Sequence, residues 1–345
     1  MSLELIIAAG MLVGLLYLLL VAQLFLARLR NSRRARRQDR IERTWLPILV
    51  AETAEVPETL SALDASDVIP FLTLWNQLQE SFTGDITRRL NDVARRVGAD
   101  AAARHLLHHR SLRDRLLAVS TLGHLGDRSD RPSWNALVHL TSDRDGMLSL
   151  AAARALTRID AAAALPVILP RLIEREDWSK NYVLGMLVEL GADVVSGPLT
   201  EAALQAPPDR APTLLQYFSA AHVADAVPVV RAIIARTTHV ECLAACLRVF
   251  ADVDELDTVR EYLRHPSWQV RVQAVNVLGR LGGHADYQAL LPLLSDPEWW
   301  VRYRAAKTLC ALPGVDLPQV RILSEQHHDA FARDMLVHVL AEAGT

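Results

Sequence analysis

The chain has 345 residues, 51% of them hydrophobic, with a formal net charge of −3. That is ample for a sizeable core and too apolar for a disordered chain. The charge is uneven: residues 1–43 carry eight arginines against Glu4, Asp39 and Glu42, a net +5, which leaves −8 on residues 44–345 and speaks against a body that grips nucleic acid.

The first element is a run from Leu5 to Leu26, 22 residues with no charge and one strongly polar side chain, Gln23. As a helix it measures roughly 33 Å, enough to cross a hydrocarbon core of about 30 Å. Arg28, Arg30, Arg33, Arg34, Arg36, Arg37, Arg40 and Arg43 follow at once. The positive-inside rule then puts the N-terminus outside and everything after the run in the cytoplasm. A cleaved signal peptide would carry its positive charges before the apolar run and a small-residue cleavage site after it; neither is present. Residues 1–27 are therefore read as a single-pass anchor, and the arginines as a basic surface for anionic lipid headgroups, each favoured by about 1 kcal/mol. Gly10 and Gly14 form G-x-x-x-G, a spacing that lets membrane helices pack closely, here against a partner's span. Lys180 and Lys307 are the only lysines amid abundant Ala and Leu, the coding bias of a GC-rich bacterium, so the membrane is read as the bacterial cytoplasmic (inner) membrane.

Residues 28–66 read as a basic juxtamembrane segment and linker, its second half polar and acidic with Pro57. Residues 67–100 read as a helical hairpin. Phe71, Leu72, Trp75, Leu78 and Phe82 share one face, Thr83-Gly84-Asp85 makes the turn, and Ile86, Leu90, Val93, Ala94 and Val97 form the second face. Such a hairpin suits the end of a repeat array, where terminal units are atypical.

Residues 101–345 carry an internal repeat. His265 to Gly279 aligns with Asp296 to Cys310 at one constant offset: Pro266 with Pro297, Trp268 with Trp299, Val270 with Val301, Arg271 with Arg302, Ala274 with Ala305 and Leu278 with Leu309. Arg115, Ala118, Leu122, Gly123, Leu125 and Gly126 match Arg271, Ala274, Leu278, Gly279, Leu281 and Gly282. Asp143, Ala152 and Leu156 match Asp296, Ala305 and Leu309, and worn copies run through Trp178–Gly191 and Glu241–Val253. Asp-Pro suits a helix start, and Val, Ala and Leu three to four apart build one apolar face. The small Ala permits close approach of paired helices, and Leu-Gly predicts a C-terminal stop. One helix pair cannot bury its apolar face alone; about seven or eight stacked pairs can. The fold class is all-α, an N-terminal transmembrane helix followed by a solenoid of stacked helix pairs.

The pattern Asp-Pro-x-x-x-Val-Arg followed by Ala and Leu-Gly resembles the HEAT-repeat superfamily in its short bacterial form, most specifically over residues 263–312. The resemblance implies that Arg271 and Arg302 pair with acidic residues of neighbouring repeats and stitch the stack. Phe71 to Ser81 and Pro297 to Ala306 are also similar to membrane-anchored bacterial HEAT-repeat proteins associated with inner-membrane glycosyltransferases. That second resemblance implies a membrane glycosyltransferase or polysaccharide synthase as partner.

No chemistry stands out against this background. His105, His108 and His109 cluster and His327 adjoins His328, but no His-Glu pair or carboxylate companion gives metal-ligand spacing. Cys242 and Cys246 lack the second pair a zinc site needs, and with Cys310 they suit a reducing compartment. There is no Gly-rich phosphate loop and no G-x-S-x-G elbow. Trp268 and Trp299, aligned in the repeat, are read as inter-repeat packing. Trp300 has Gln269 as its counterpart, so Trp300, Tyr303 and Arg304 are the candidates for partner binding. The expectation is a non-catalytic, membrane-anchored scaffold or accessory subunit with no metal, cofactor or nucleic acid. The opposing class is an enzyme on a HEAT scaffold acting on a protein or nucleic acid.

Overall fold

A computed structural model of the chain describes residue 23 and residues 35–50 and 60–343. Every regular element among these residues is a helix. None of the described helices is long and apolar enough to cross a membrane. Apart from Gln23, the expected span at Leu5–Leu26, with Gly10, Gly14 and the arginines Arg28, Arg30, Arg33 and Arg34, lies outside the described residues. The chain divides into two compact units, Met1–Asp160 and Ala161–Thr345.

The first unit opens with α1, residues 35–50. Ile41, Trp45 and Leu49 fall four apart and are buried, so this stretch is a docked helix and not a loose basic arm. Trp45 sets its edge on Phe71 at 5.0 Å. The Arg89 Nε donates to the Ile48 carbonyl at 3.0 Å. Next come α2 (Val68–Ser81) and α3 (Asp85–Arg96), joined at Gly84, whose φ of +75° favours glycine. Phe71, Leu72 and Trp75 are fully buried, and the Trp75 indole N–H donates to the Leu90 carbonyl at 2.8 Å. Then follow α4 (Ala99–Leu106), α5 (Leu112–Leu125), α6 (Arg131–Leu140) and α7 (Gly146–Ile159). Helices α2, α5 and α7 lie side by side, with α4 against α5 and α6 against α7. Ser111, Asp130 and Asp145 cap α5, α6 and α7 by accepting backbone N–H bonds.

Gly123 sits where α5 crosses α7. A Cβ there would stand 2.8 Å from the Ala155 Cβ and 2.9 Å from its Cα. Alanine gains about 1 kcal/mol of helix propensity over glycine, but forcing two backbones apart costs about 1–3 kcal/mol. Gly123→Ala is therefore expected to lower the midpoint of urea unfolding. An unchanged or raised midpoint would show that α5 and α7 can part freely.

The second unit comprises α8 (Ala161–Glu174), α9 (Lys180–Leu190), α10 (Ala192–Gln205), α11 (Ala211–Leu215), α12 (Val223–Arg236), α13 (Val240–Val249), α14 (Leu256–Tyr262), α15 (Trp268–Leu281), α16 (Tyr287–Leu290), α17 (Trp299–Ala311), α18 (Leu317–Gln326) and α19 (Ala330–Ala343). Helices α13, α15, α17 and α19 form one layer; α14 packs on α15, the 3-10 turn Leu291–Ser295 after α16 on α17, and α18 on α19. Helices α15, α17 and α19 start at Trp268, Trp299 and Ala330, equal steps that reproduce the repeat of the sequence. The aligned Val270, Ala274, Leu278 and Val301, Ala305, Leu309 are all fully buried. Cys242 and Cys246 are buried in α13 and Cys310 half-buried in α17; burial pushes all three thiols up.

Two details correct the sequence reading. Leu278-Gly279 does not stop α15; Gly279 lies inside the helix, where a Cβ would meet the Thr308 hydroxyl of α17 at 3.1 Å. It is a close-approach glycine. Asp296-Pro297 does not open α17 either, since the helix begins at Trp299. Asp296 instead forms the preceding turn, its Oδ1 accepting the Glu298 N–H at 2.9 Å.

Candidate functional site

The site grows out of the arginine repeat. The Arg271 Nη1 donates to the carbonyls of His265 and Pro266 at 2.8 and 2.9 Å. Its Nε and Nη2 make two bonds of 2.7 Å to the two oxygens of Asp296. This is the bidentate geometry that makes Arg–carboxylate pairs strong, and the side chains are only 11% and 5% exposed. Asp296 belongs to the turn that feeds α17, so the pair ties one helix pair to the next. In the first unit Arg115 repeats the device, with Nε on the Leu107 carbonyl at 3.0 Å and Nη2 on Asp143 at 2.6 Å.

Arg302 breaks the series. Its Nη1 donates to the carbonyls of Asp296 and Pro297 at 2.7 and 3.1 Å, as Arg271 does one repeat earlier. Its Nε, however, is buried and meets no acceptor among the described residues. The position one repeat beyond Asp296 holds His327, so the expected acidic neighbour of Arg302 is missing there. The Phe331 ring covers the guanidinium instead, its centroid 5.8 Å from Cζ.

The aromatics gather at the same end of the unit. Trp299 and Trp300 are 44% and 52% exposed, and Phe331 is 70% exposed. Trp299 stacks on Tyr303 at 5.2 Å and takes an edge contact from Trp300 at 4.8 Å. The Tyr303 hydroxyl donates to Glu342 at 3.0 Å, and the Arg304 guanidinium and the Lys307 ammonium lie 5.9 and 5.6 Å from its ring centre. Between α17 and α19 runs a groove of about 260 Å3 lined by Trp299, Arg302, Phe331, Asp334, Met335 and His338.

Trp300, Tyr303 and Arg304 thus stand together on one surface. Trp299, read from the alignment as inter-repeat packing, is 44% exposed and lines the groove between α17 and α19. Its aligned counterpart Trp268 is half-buried. Phe331, Asp334, Met335 and His338 were not singled out by sequence reasoning. The signal was Arg333, one repeat after Arg302, whose Nη1 donates to the His327 carbonyl at 2.8 Å in the pattern of Arg271 and Arg302.

The basic residues of α1 split into two roles. Arg36, Arg40 and Arg43 are exposed, on the side away from Ile41, Trp45 and Leu49. Arg37 is half-buried, 3.5 Å from Asp67 and bonded to the Ser66 carbonyl at 3.2 Å.

Two buried acids are the natural candidates for a general acid or base. Asp286, 1% exposed, accepts from the Arg260 Nε at 2.7 Å and from the Gly283 N–H at 2.9 Å. Asp296 is held by Arg271 and the Glu298 N–H. Both are committed to structural bonds. His105, His108 and His109 are exposed, and His327 stacks on His328 at 4.6 Å. Among the described residues, no three His, Cys, Asp or Glu side chains gather as a metal site.

No curated protein matches the chain. Residues 227–310, from within α12 to within α17, match the family model described as HEAT repeats, and this stretch, with its Arg271–Asp296 pair, is HEAT-repeat in kind.

Proposed function

We propose that the protein is a non-catalytic interaction scaffold, anchored by residues 5–26 to the bacterial inner membrane, that holds a membrane-associated protein at its cytoplasmic face. A glycosyltransferase or polysaccharide synthase is the partner class the sequence resemblance favours. The observation that carries the reading is the exposed aromatic ridge of Trp299, Trp300 and Phe331 beside a guanidinium. Large aromatics and arginine are the side chains that dominate protein interfaces, and few proteins leave such rings in water without use. The exposed face Arg36, Arg40 and Arg43 on α1 supports a membrane-proximal position, since anionic headgroups favour each by about 1 kcal/mol.

The test is affinity purification from native membranes in mild detergent, comparing the natural chain with a Trp300→Ala/Phe331→Ala double variant. A stoichiometric membrane protein should co-purify with the former and fall at least about thirtyfold with the latter, the loss of roughly 2 kcal/mol that marks a hot spot. Retention of the partner by the double variant would remove the ridge as the docking site.

A further inference from the structure

The scaffold reading leaves open what chemistry the groove recognises, and the repeat itself supplies a standard of comparison. Arg271 and Arg302 occupy the same place in successive repeats, and each commits Nη1 to two carbonyls of its own turn. On Arg271 the remaining Nε edge is filled by the Asp296 carboxylate. On Arg302 the same Nε is buried without an acceptor.

The residue that would have filled it is His327. It keeps the backbone duty of the position, its Nδ1 accepting the Asp329 N–H at 3.1 Å as Asp296 accepts Glu298 and as the His265 Nδ1 accepts Ser267. What the histidine cannot supply is a negative charge with two oxygens. A buried guanidinium edge without an anion is costly to leave unmet. Arg302 lines the groove, and the Phe331 ring beside its guanidinium, 5.8 Å from Cζ, is 70% exposed.

We infer, resting on the scaffold reading, that this groove binds an acidic peptide segment of a protein partner. One Asp or Glu carboxylate takes the Nε edge of Arg302, as Asp296 takes Arg271, and a neighbouring apolar or aromatic side chain lies against Trp300 and Phe331. The groove also contains Asp334. A second negative charge would meet that carboxylate, so the site suits a single acid beside an apolar residue. It does not suit a polyanion such as nucleic acid, in line with the −8 on residues 44–345.

The experiment uses the full chain, immobilised in mild detergent. It is offered a synthetic peptide library in which every member carries an aspartate beside an aromatic residue, and a matched library with asparagine in place of the aspartate. The natural chain should retain the aspartate library about tenfold better, the effect of one charge-assisted bond. His327→Asp supplies the carboxylate within the chain. It should abolish that preference while raising Tm by about 2–4 °C, so loss of binding cannot be ascribed to misfolding. Arg302→Met should abolish the preference too. Equal retention of the two libraries, no retention of either, or an undiminished preference in His327→Asp would overturn the inference. If both libraries bind equally and the Trp300→Ala/Phe331→Ala variant loses both, the ridge still docks a partner and only the carboxylate falls. If that double variant also keeps the native partner, the scaffold reading falls separately.

Discussion

Asp296→Ala is expected to lower the unfolding free energy of the second unit by about 3–5 kcal/mol, the usual effect of removing one member of a buried ion pair. The carboxylate accepts both Arg271 bonds and the Glu298 N–H. Its loss strands a guanidinium that is 11% exposed and loosens the turn into α17. Hydrogen exchange over residues 240–343 reads the change locally, and protection there should fall by about two to four powers of ten. A loss below about 1 kcal/mol would mean that water reaches the pair and that it behaves as a surface ion pair. Arg302→Met is the natural control. It removes two bonds to the Asp296 and Pro297 carbonyls but strands no buried ion, so it should cost less than Asp296→Ala, about 1–2 kcal/mol.

Trp75→Ala should have a comparable effect in the first unit, about 3–5 kcal/mol. The indole is fully buried among α2, α3 and α5, and its N–H donates to the Leu90 carbonyl. Trp75→Phe keeps most of the packing and loses the bond, so it should cost only about 1–2 kcal/mol. Exchange protection over residues 68–125 distinguishes the two. Equal effects of Phe and Ala would show that the hydrogen bond, and not the ring, holds the hairpin.

The repeat was legible because its buried positions recur with the same residue types. Val, Ala and Leu fill the same depth in α15 and α17, and Arg271 finds its acid where the spacing places one. Exposure was less legible, because a repeat's outer residues are covered or bared by the next repeat. Trp268 and Trp299 are identical by alignment, yet Trp268 is half-buried and Trp299 is 44% exposed. The third copy, in α19, keeps Arg333 and Leu340 but little else of the motif, which hid half of the groove. The docking of α1 was hidden differently: Ile41, Trp45 and Leu49 lie among arginines whose charge dominates any composition window. Helix α8 shows the limit of local rules. Pro166 and Pro170 lie inside it, each nominally costing about 3 kcal/mol. Burial of Leu165, Ile168, Leu169 and Leu172, at about 1.5–3 kcal/mol each, outweighs them.

The docked α1 also defines how mechanical load enters the first unit. Ile41, Trp45 and Leu49 lie along about 12 Å of helix axis. A pull along that axis must shear all three buried contacts, together with the Arg37–Asp67 pair, at the same moment. A pull across it would peel them one at a time, at much lower force. Tension delivered along α1 therefore passes into the Trp45–Phe71 contact and the α2–α3 hairpin as a rigid joint, and the same joint yields readily to sideways displacement.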